Sequence, residues 1–190
     1  CIRDRGRGGE AITVKRRVNG FNAMMAVQSV EAAKLYYNEF KAQQAELPEH
    51  QRLKVATIFS YGANEDPEAG ILAEEGFDTR GLSGENREFL DTAIADYNQI
   101  FGTSYDANGD NFQNYYRDLS MRVKDREVDL LLVVNMFLTG FDAPTLNTLY
   151  VDKNLKYHGL IQAFSRTNRI LNTVKRYGNL SLIHISERAG

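Results

Sequence analysis

Short apolar runs alternate along this chain with longer segments in which apolar residues recur every three or four positions. Runs of four to eight residues that are rich in apolar and β-branched side chains predict buried strands. Four such strands are predicted, at residues 21–27, 54–59, 128–134 and 148–151. The third run is almost unbroken in its hydrophobicity, which is typical of a strand buried on both faces within a parallel sheet.

Helical periodicity predicts three amphipathic helices between these strands. The first begins after Ser29, a good N-cap, carries Glu31 where the helix dipole favours an acid, and ends before Pro48. The other two span residues 86–101 and 111–124. We expect their apolar stripes to be core: Val30, Ala33, Leu35, Tyr37 and Phe40 in the first helix, Phe89, Leu90, Ile94, Tyr97 and Phe101 in the second, and Phe112, Tyr115, Tyr116, Leu119 and Val123 in the third.

The order of these elements predicts an α/β domain built on a mainly parallel central sheet. The first two strands flank a helix, which suggests a βαβ unit. Residues 61–84 are rich in Gly, Asp, Glu and Asn, show no period and indicate a surface insertion. Together with the two helices that follow, they form a loop and helical insertion at 61–126 within one domain at 21–179.

Composition narrows the class of protein. The chain has 190 residues, 43% of them hydrophobic and 25% charged, with a net charge of −2, which favours a folded domain over disorder. This balance does not by itself signal nucleic-acid binding, although a local basic patch is compatible with it. No stretch approaches the roughly 18 apolar residues of a membrane span. The single cysteine, Cys1, forms no internal disulfide, which is consistent with a cytoplasmic protein.

The two ends of the chain are related to each other through their possible coding sequences. Residues 1–5 and 180–186 have possible coding sequences that are reverse complements of each other and resemble a transposon end used in sequencing-library adapters. We therefore interpret 1–9 and 180–190 as adapter-like tails outside the native domain. Residues 10–20 are basic and irregular, and we interpret them as a linker from a preceding domain.

A helix predicted at 159–169 carries the most distinctive polar side chains. Helical spacing places Gln162, Arg166 and Arg169 on one side, with an apolar stripe on another. Two guanidinium groups and an amide on a packed helix are suited to a chain of phosphates. From spacing alone, a solvated face that happens to carry two arginines is the more common explanation.

The segment after the strand at 128–134 is a second candidate site. In open α/β sheets, ligands bind in loops that follow the carboxyl ends of strands. Here Gly140 permits close backbone approach, Thr139 supplies a hydroxyl, and Asp142 can accept a hydrogen bond or orient an arginine. The alternative is a simple strand-to-turn connection.

Two apparent metal motifs do not meet the requirements of a metal site. Asp106-Ala-Asn-Gly-Asp110 has the spacing of a calcium loop, but Asn111 and Arg117 occupy the positions that need glycine and glutamate. A plain turn is predicted instead. His158 has no cysteine or second histidine nearby in sequence, so we expect no metal ligand there.

The residue patterns of three segments resemble the motifs of a known family. Residues 21–40, 128–153 and 158–169 resemble, in order, motifs IV, V and VI of superfamily 2 helicases and translocases. Residues 162–169 match the Q-x-x-G-R-x-G-R pattern at Gln162, Arg166 and Arg169, while Ser165 and Asn168 replace its glycines. Residues 135–142, 146–155 and 162–170 are most similar to the motor (restriction) subunit of type I restriction–modification enzymes.

This resemblance implies a second RecA-like (P-loop NTPase type) three-layer domain of an ATP-driven double-stranded DNA translocase. In that family the motor works with methyltransferase and specificity subunits, and a preceding RecA-like domain binds most of the ATP and Mg²⁺. The resemblance implies that Arg166 and Arg169 reach those phosphates. It implies coupling roles for Gln162, Gly140 and Asp142, and DNA-backbone contacts near Ser29, Asn135 and Thr139.

Several family features are absent from the 190 residues. We find no G-x-x-x-x-G-K-[ST] phosphate loop, no D-E-x-H-type magnesium box and no carboxylate–lysine nuclease cluster. The chain alone is therefore expected neither to hydrolyse ATP nor to cut DNA, and its parent is expected to be an ATP-dependent site-specific endonuclease. The alternatives are a non-catalytic nucleic-acid-binding module and the equivalent lobe of another superfamily 2 helicase.

Overall fold

The computed structural model describes residues 21–59, 82–134, 143–152 and 178–183, together with Ser165, Thr167 and Lys175. Its strands are β1 (Asn22–Val27), β2 (Val55–Ile58), β3 (Leu130–Val134), β4 (Leu146–Asp152) and β5 (Asn179–Leu182). Its α-helices are α1 (Val30–Gln44), α2 (Gly84–Phe101) and α3 (Gly109–Lys124), and a short 3₁₀ turn spans Glu49–Gln51. The four predicted strands and the three helices predicted between them are confirmed, and the ends of the strands, α2 and α3 lie within two residues of the predicted ends. The helix predicted at 159–169 lies outside the described residues apart from Ser165 and Thr167.

All described strand pairs are parallel, in the order β2-β3-β1-β4-β5. Helices flank this sheet, so the predicted α/β class is confirmed and agrees with a RecA-like three-layer domain. The apolar run that predicted a central strand is β3, which lies between β2 and β1 and is buried along its whole length. Because every strand runs the same way, all carboxyl ends lie at one edge of the sheet.

The strand order differs from the simplest βαβ arrangement. β1 and β2 are joined through α1, but β3 separates them in the sheet. β4 also begins at Leu146 and ends at Asp152, both outside the strand predicted at 148–151. Local patterns do not report which strands become neighbours, because that depends on contacts between residues far apart in the chain.

Most of the predicted core positions are buried. Val30, Ala33 and Tyr37 of α1 are at most 6% exposed. Leu35 is an error in the prediction, because 70% of its surface is exposed. The reason is geometric: positions 30, 33 and 37 form one helical stripe, and residue 35 points away from it. The aromatic stripes of α2 and α3 form core as predicted, with Phe101 and Tyr116 only partly buried.

The helical insertion is bound firmly to the rest of the domain. The Tyr37 hydroxyl on α1 donates to Asp96 on α2 at 3.0 Å, and Lys41 forms an ion pair with the same carboxylate at 2.6 Å. On α3, the hydroxyl of fully buried Tyr115 donates to the Thr57 carbonyl on β2 at 2.7 Å. These contacts make α2 and α3 part of the same core as the sheet.

The last described strand extends into the segment that we interpreted as an adapter-like tail. β5 pairs with β4 through Leu182, and the Ile183 amide donates to the Val151 carbonyl at 2.9 Å. Leu180 and Leu182 alternate with polar neighbours, a pattern that suits an edge strand whatever its origin. Within the described ranges, no helix is long and apolar enough to cross a membrane.

Candidate functional site

The strands that precede three of the predicted site segments end at the same edge of the sheet. Val27, the last residue of β1, pairs with Val134 at the end of β3 and with Asp152 at the end of β4. Ser29 follows β1 by two residues, the predicted loop at 135–142 follows β3 directly, and the stretch that leads to the arginines follows β4. Sheet topology therefore brings the ends of these three strands together at the edge where α/β proteins bind ligands.

Ser29 is the only predicted site residue that lies within the described ranges. Its extended backbone and its side-chain oxygen, which accepts from the Ala32 amide at 3.1 Å, make it the N-cap of α1, as predicted. A hydrogen bond from its own backbone amide lowers the pKa of Glu31, and a second bond from the Ser29 hydroxyl lowers it further. The Ser29 hydroxyl is thus committed to the helix end, and its role toward DNA stays a prediction.

The other predicted site residues lie outside the described residues. These are Gln162, Arg166 and Arg169 of the helix and Asn135, Thr139, Gly140 and Asp142 of the loop. Ser165 and Thr167, on either side of Arg166 in sequence, are both helical. Ser165 is exposed and Thr167 is 2% exposed.

Asp152 is a candidate that sequence reasoning missed. It is only 9% exposed at the carboxyl end of β4, beside the end of β1. Tyr36 of α1 hydrogen-bonds to it: burial raises the pKa of the Tyr36 hydroxyl, and the bond to Asp152 and its charge raise that pKa further. A buried carboxylate at this edge can orient a cation or a donor from a neighbouring segment. Its position directly after an apolar run was the available signal.

A cavity of about 520 Å³ lies beside α1 and the sheet. It is bounded by Tyr36 and Phe40 of α1 and by sheet residues such as Ala23, Leu130 and Tyr150. Ala23 and Leu130 lie near the amino ends of their strands, whereas Tyr36 also hydrogen-bonds to Asp152 at the carboxyl edge. Its apolar lining is that of an incompletely covered sheet face.

The turn predicted at 106–110 is observed at Asp106–Asn108, and Gly109 and Asp110 already belong to α3. The two carboxylate oxygens of Asp106 accept from the Asn108 amide at 2.8 Å and from the Asn111 side chain at 3.0 Å. The bond from Asn111 is the main reason that the pKa of Asp106 is lowered. Across the described residues, no group of three or more His, Cys, Asp or Glu side chains is arranged to hold a metal ion.

Comparison with known proteins shows the family to which the chain is similar. The family described as "Type I restriction enzyme subunit R domain 3" matches residues 19–184. A type I restriction enzyme endonuclease subunit of Staphylococcus aureus is 42% identical over 162 residues, which cover 84% of this chain and 16% of that protein.

Two further relatives show the same likeness over different lengths. An endonuclease subunit of Staphylococcus saprophyticus is 46% identical over the same shares of the two chains. The HindI endonuclease subunit of Haemophilus influenzae is 43% identical over 70 residues, or 35% of this chain and 7% of the relative. The chain thus spans about one sixth of the staphylococcal relatives that it matches.

Proposed function

This chain belongs to the type I restriction enzyme R-subunit family, as its domain 3, and from that membership we propose that it is the second RecA-like half of an ATP-dependent double-stranded DNA translocase. The observation that carries the proposal is the register in which Val27 meets both Val134 and Asp152. It brings the carboxyl ends of the strands that precede Ser29, the segment at 135–142 and the arginine helix to one sheet edge. Such an edge can face a nucleotide held by a preceding RecA-like domain.

The proposed chemistry belongs to the arginine helix. Arg166 and Arg169 stabilise negative charge on the phosphoryl oxygens as ATP is hydrolysed, a contribution worth about 10³–10⁵ in rate where arginine fingers have been measured. Mg²⁺ and ATP, bound mainly by the preceding domain, supply the reacting phosphate and neutralise part of its charge. Gln162, Gly140 and Asp142 link the state of the nucleotide to closure of the two domains.

The proposed DNA contacts lie on the other segments of the same edge. Ser29, Asn135 and Thr139 face the phosphate backbone, where contacts position a protein without reading sequence. Such contacts suit a motor that travels over any sequence. The proposed setting is a cytoplasmic complex in which methyltransferase and specificity subunits supply modification and target choice, so this chain alone neither hydrolyses ATP nor cuts DNA.

The test uses the whole R subunit assembled with its partner subunits. Arg169→Ala is expected to lower kcat for DNA-stimulated ATP hydrolysis by about 10³-fold or more, because transition-state charge loses a donor. The dissociation constant for double-stranded DNA is expected to stay within about twofold of wild type, since other residues hold the backbone. Arg117→Ala is the matched control, because Arg117 is an exposed arginine on α3.

The alternatives predict different results in the same assay. A non-catalytic nucleic-acid-binding module predicts normal hydrolysis in Arg169→Ala and salt-dependent DNA affinity in the isolated chain. The equivalent lobe of an RNA helicase predicts stimulation by RNA in place of double-stranded DNA. Unchanged hydrolysis in Arg169→Ala would remove the arginine-finger role.

A further inference from the structure

A lysine is buried in the described chain at a place that the family patterns do not mark. Lys175 is 2% exposed, and its Nζ donates to the carbonyl oxygens of Pro144 at 3.0 Å and Leu146 at 2.5 Å. Burial lowers the pKa of the Lys175 ammonium, because water no longer solvates the charge. Removing this group from water without partners would be costly, so the two carbonyls are a built site for it.

The partners of Lys175 identify what it connects. Pro144 and Leu146 stand at the start of β4, within a few residues of the loop at 135–142. In sequence, Lys175 lies between the predicted arginine helix and β5. Its hydrogen bonds therefore join the chain that follows the arginines to the chain that follows the loop.

A second contact attaches the same stretch to the sheet. A Cβ atom added to Gly178 would lie 2.2 Å from the Thr167 carbonyl oxygen and 2.5 Å from the Thr167 Cβ. Only glycine allows such an approach of one backbone to another. Thr167, which lies between Arg166 and Arg169 in sequence, is thereby packed against the residue that precedes β5.

We propose that Lys175 is a positioning residue for the arginine helix, assisted by the contact between Gly178 and Thr167. This inference rests on the proposed function of Arg166 and Arg169. Lys175 does not touch the nucleotide; it ties the chain at residue 175 to the start of β4, and Gly178 packs against Thr167. A group misplaced by about 1 Å can lose about 10²-fold in rate, so a loosened attachment lowers catalysis before it lowers binding.

The test replaces Lys175 with methionine, which keeps the stem and removes the donors, in the assembled enzyme. Lys175→Met is expected to lower kcat for ATP hydrolysis by about 10- to 100-fold while the dissociation constant for double-stranded DNA changes less than about twofold. Amide hydrogen exchange in peptides covering 143–149 and 165–178 is expected to accelerate, with α2 and α3 unchanged. Lys34→Met, at an exposed lysine of α1, is the control for loss of one charge.

Two further variants keep the test informative if Lys175→Met folds poorly. Lys175→Gln retains a side-chain N–H donor and is expected to recover part of the lost kcat. Gly178→Ala is expected to lower kcat through the clash with Thr167, whereas Gly84→Ala is expected to be neutral because nothing lies within 4 Å of an added Cβ there.

The outcomes separate this proposal from the one on which it rests. If Arg169→Ala abolishes hydrolysis and Lys175→Met leaves kcat per folded enzyme unchanged, the positioning role is overturned and the arginine finger stands. If amide hydrogen exchange accelerates while kcat is unchanged, Lys175 only stabilises the fold, and the positioning role is likewise overturned. If Arg169→Ala hydrolyses ATP normally, the proposed function fails, and the positioning role fails with it.

Discussion

At the scale of single residues, one asparagine organises the connection between α2 and α3. Asn98 donates from Nδ2 to the Tyr105 carbonyl at 2.8 Å, and its Oδ1 accepts from the Thr103 hydroxyl at 2.8 Å and the Tyr105 amide at 3.0 Å. Its carbonyl also accepts from Gly102, whose φ of 68° places it in the left-handed region that ends helices. The side chain thus satisfies the backbone amide and carbonyl of Tyr105 in the connection that follows α2.

Asn98→Ala is expected to lower the free energy of unfolding by about 1–3 kcal/mol, because it removes three hydrogen bonds and leaves partly buried donors and acceptors unmatched. Gln99→Ala is the control: the neighbouring amide is exposed on the same helix, and alanine suits a helix at least as well. Urea denaturation of the two variants measures the difference. Equal stability would show that water replaces these bonds without cost.

Single residues also show which parts of the candidate site the sequence could predict and which parts it could not. The N-cap role of Ser29 is local, since acceptor and donor are three residues apart, and the sequence predicted it. Asp152 was missed because its burial depends on Tyr36, more than a hundred positions earlier in the chain. The close approach of Gly178 to Thr167 was missed for the same reason. The position of a glycine in the sequence does not indicate which backbone segment packs against it.

At the scale of elements, periodicity predicted the helices and strands well because it is a local property. α2 and α3 begin two residues earlier than predicted and end at the predicted residues. Their stripes pack together: the Tyr97 ring meets Tyr115 edge to face at 5.0 Å, and the Tyr97 hydroxyl donates to Asp118 at 2.7 Å. Leu35 was misassigned because its hydrophobicity was weighed without its place on the helical wheel.

Two leucine truncations test this assignment of core and surface. Leu132→Ala in β3, where the side chain is 0% exposed, is expected to cost about 2–5 kcal/mol of unfolding free energy through lost burial and a residual cavity. Leu35→Ala makes the same chemical change at 70% exposure and is expected to stay within about 0.5 kcal/mol of wild type. Comparable losses in both would contradict the observed orientation of α1.

At the scale of the whole molecule, the parallel sheet determines which segments can act together. β1 lies between β3 and β4, so connections that are distant in sequence open on the same edge. The other end of the sheet carries the structural ties: the Asn22 side chain at the start of β1 donates to the Val123 carbonyl at 2.6 Å. Within the described fold, these attachments lie at the amino edge and the candidate chemistry lies at the carboxyl edge.

Removal of residues 179–190 tests the dependence of the sheet on its last described strand. The truncation deletes β5 and leaves the backbone of β4 unpaired on one side, including the Val151 carbonyl that accepts from Ile183. An unpaired edge promotes association. Sedimentation velocity is expected to show more oligomer, and thermal unfolding a lower Tm, than for the full chain at equal concentration. A chain shortened only by 187–190 is the control; identical behaviour of both truncations would contradict the prediction.

The sequence by itself determined the secondary structure, the α/β class and the resemblance that family comparison then confirmed. Those properties are encoded in periodicity, caps and contiguous motifs, all of which act over short distances in the chain. Tertiary structure alone decided the strand order, the burial of Asp152 and the anchoring of Lys175 on Pro144 and Leu146. Each of these depends on packing between residues that are distant in sequence, and a polar side chain is buried only where such packing supplies its partners.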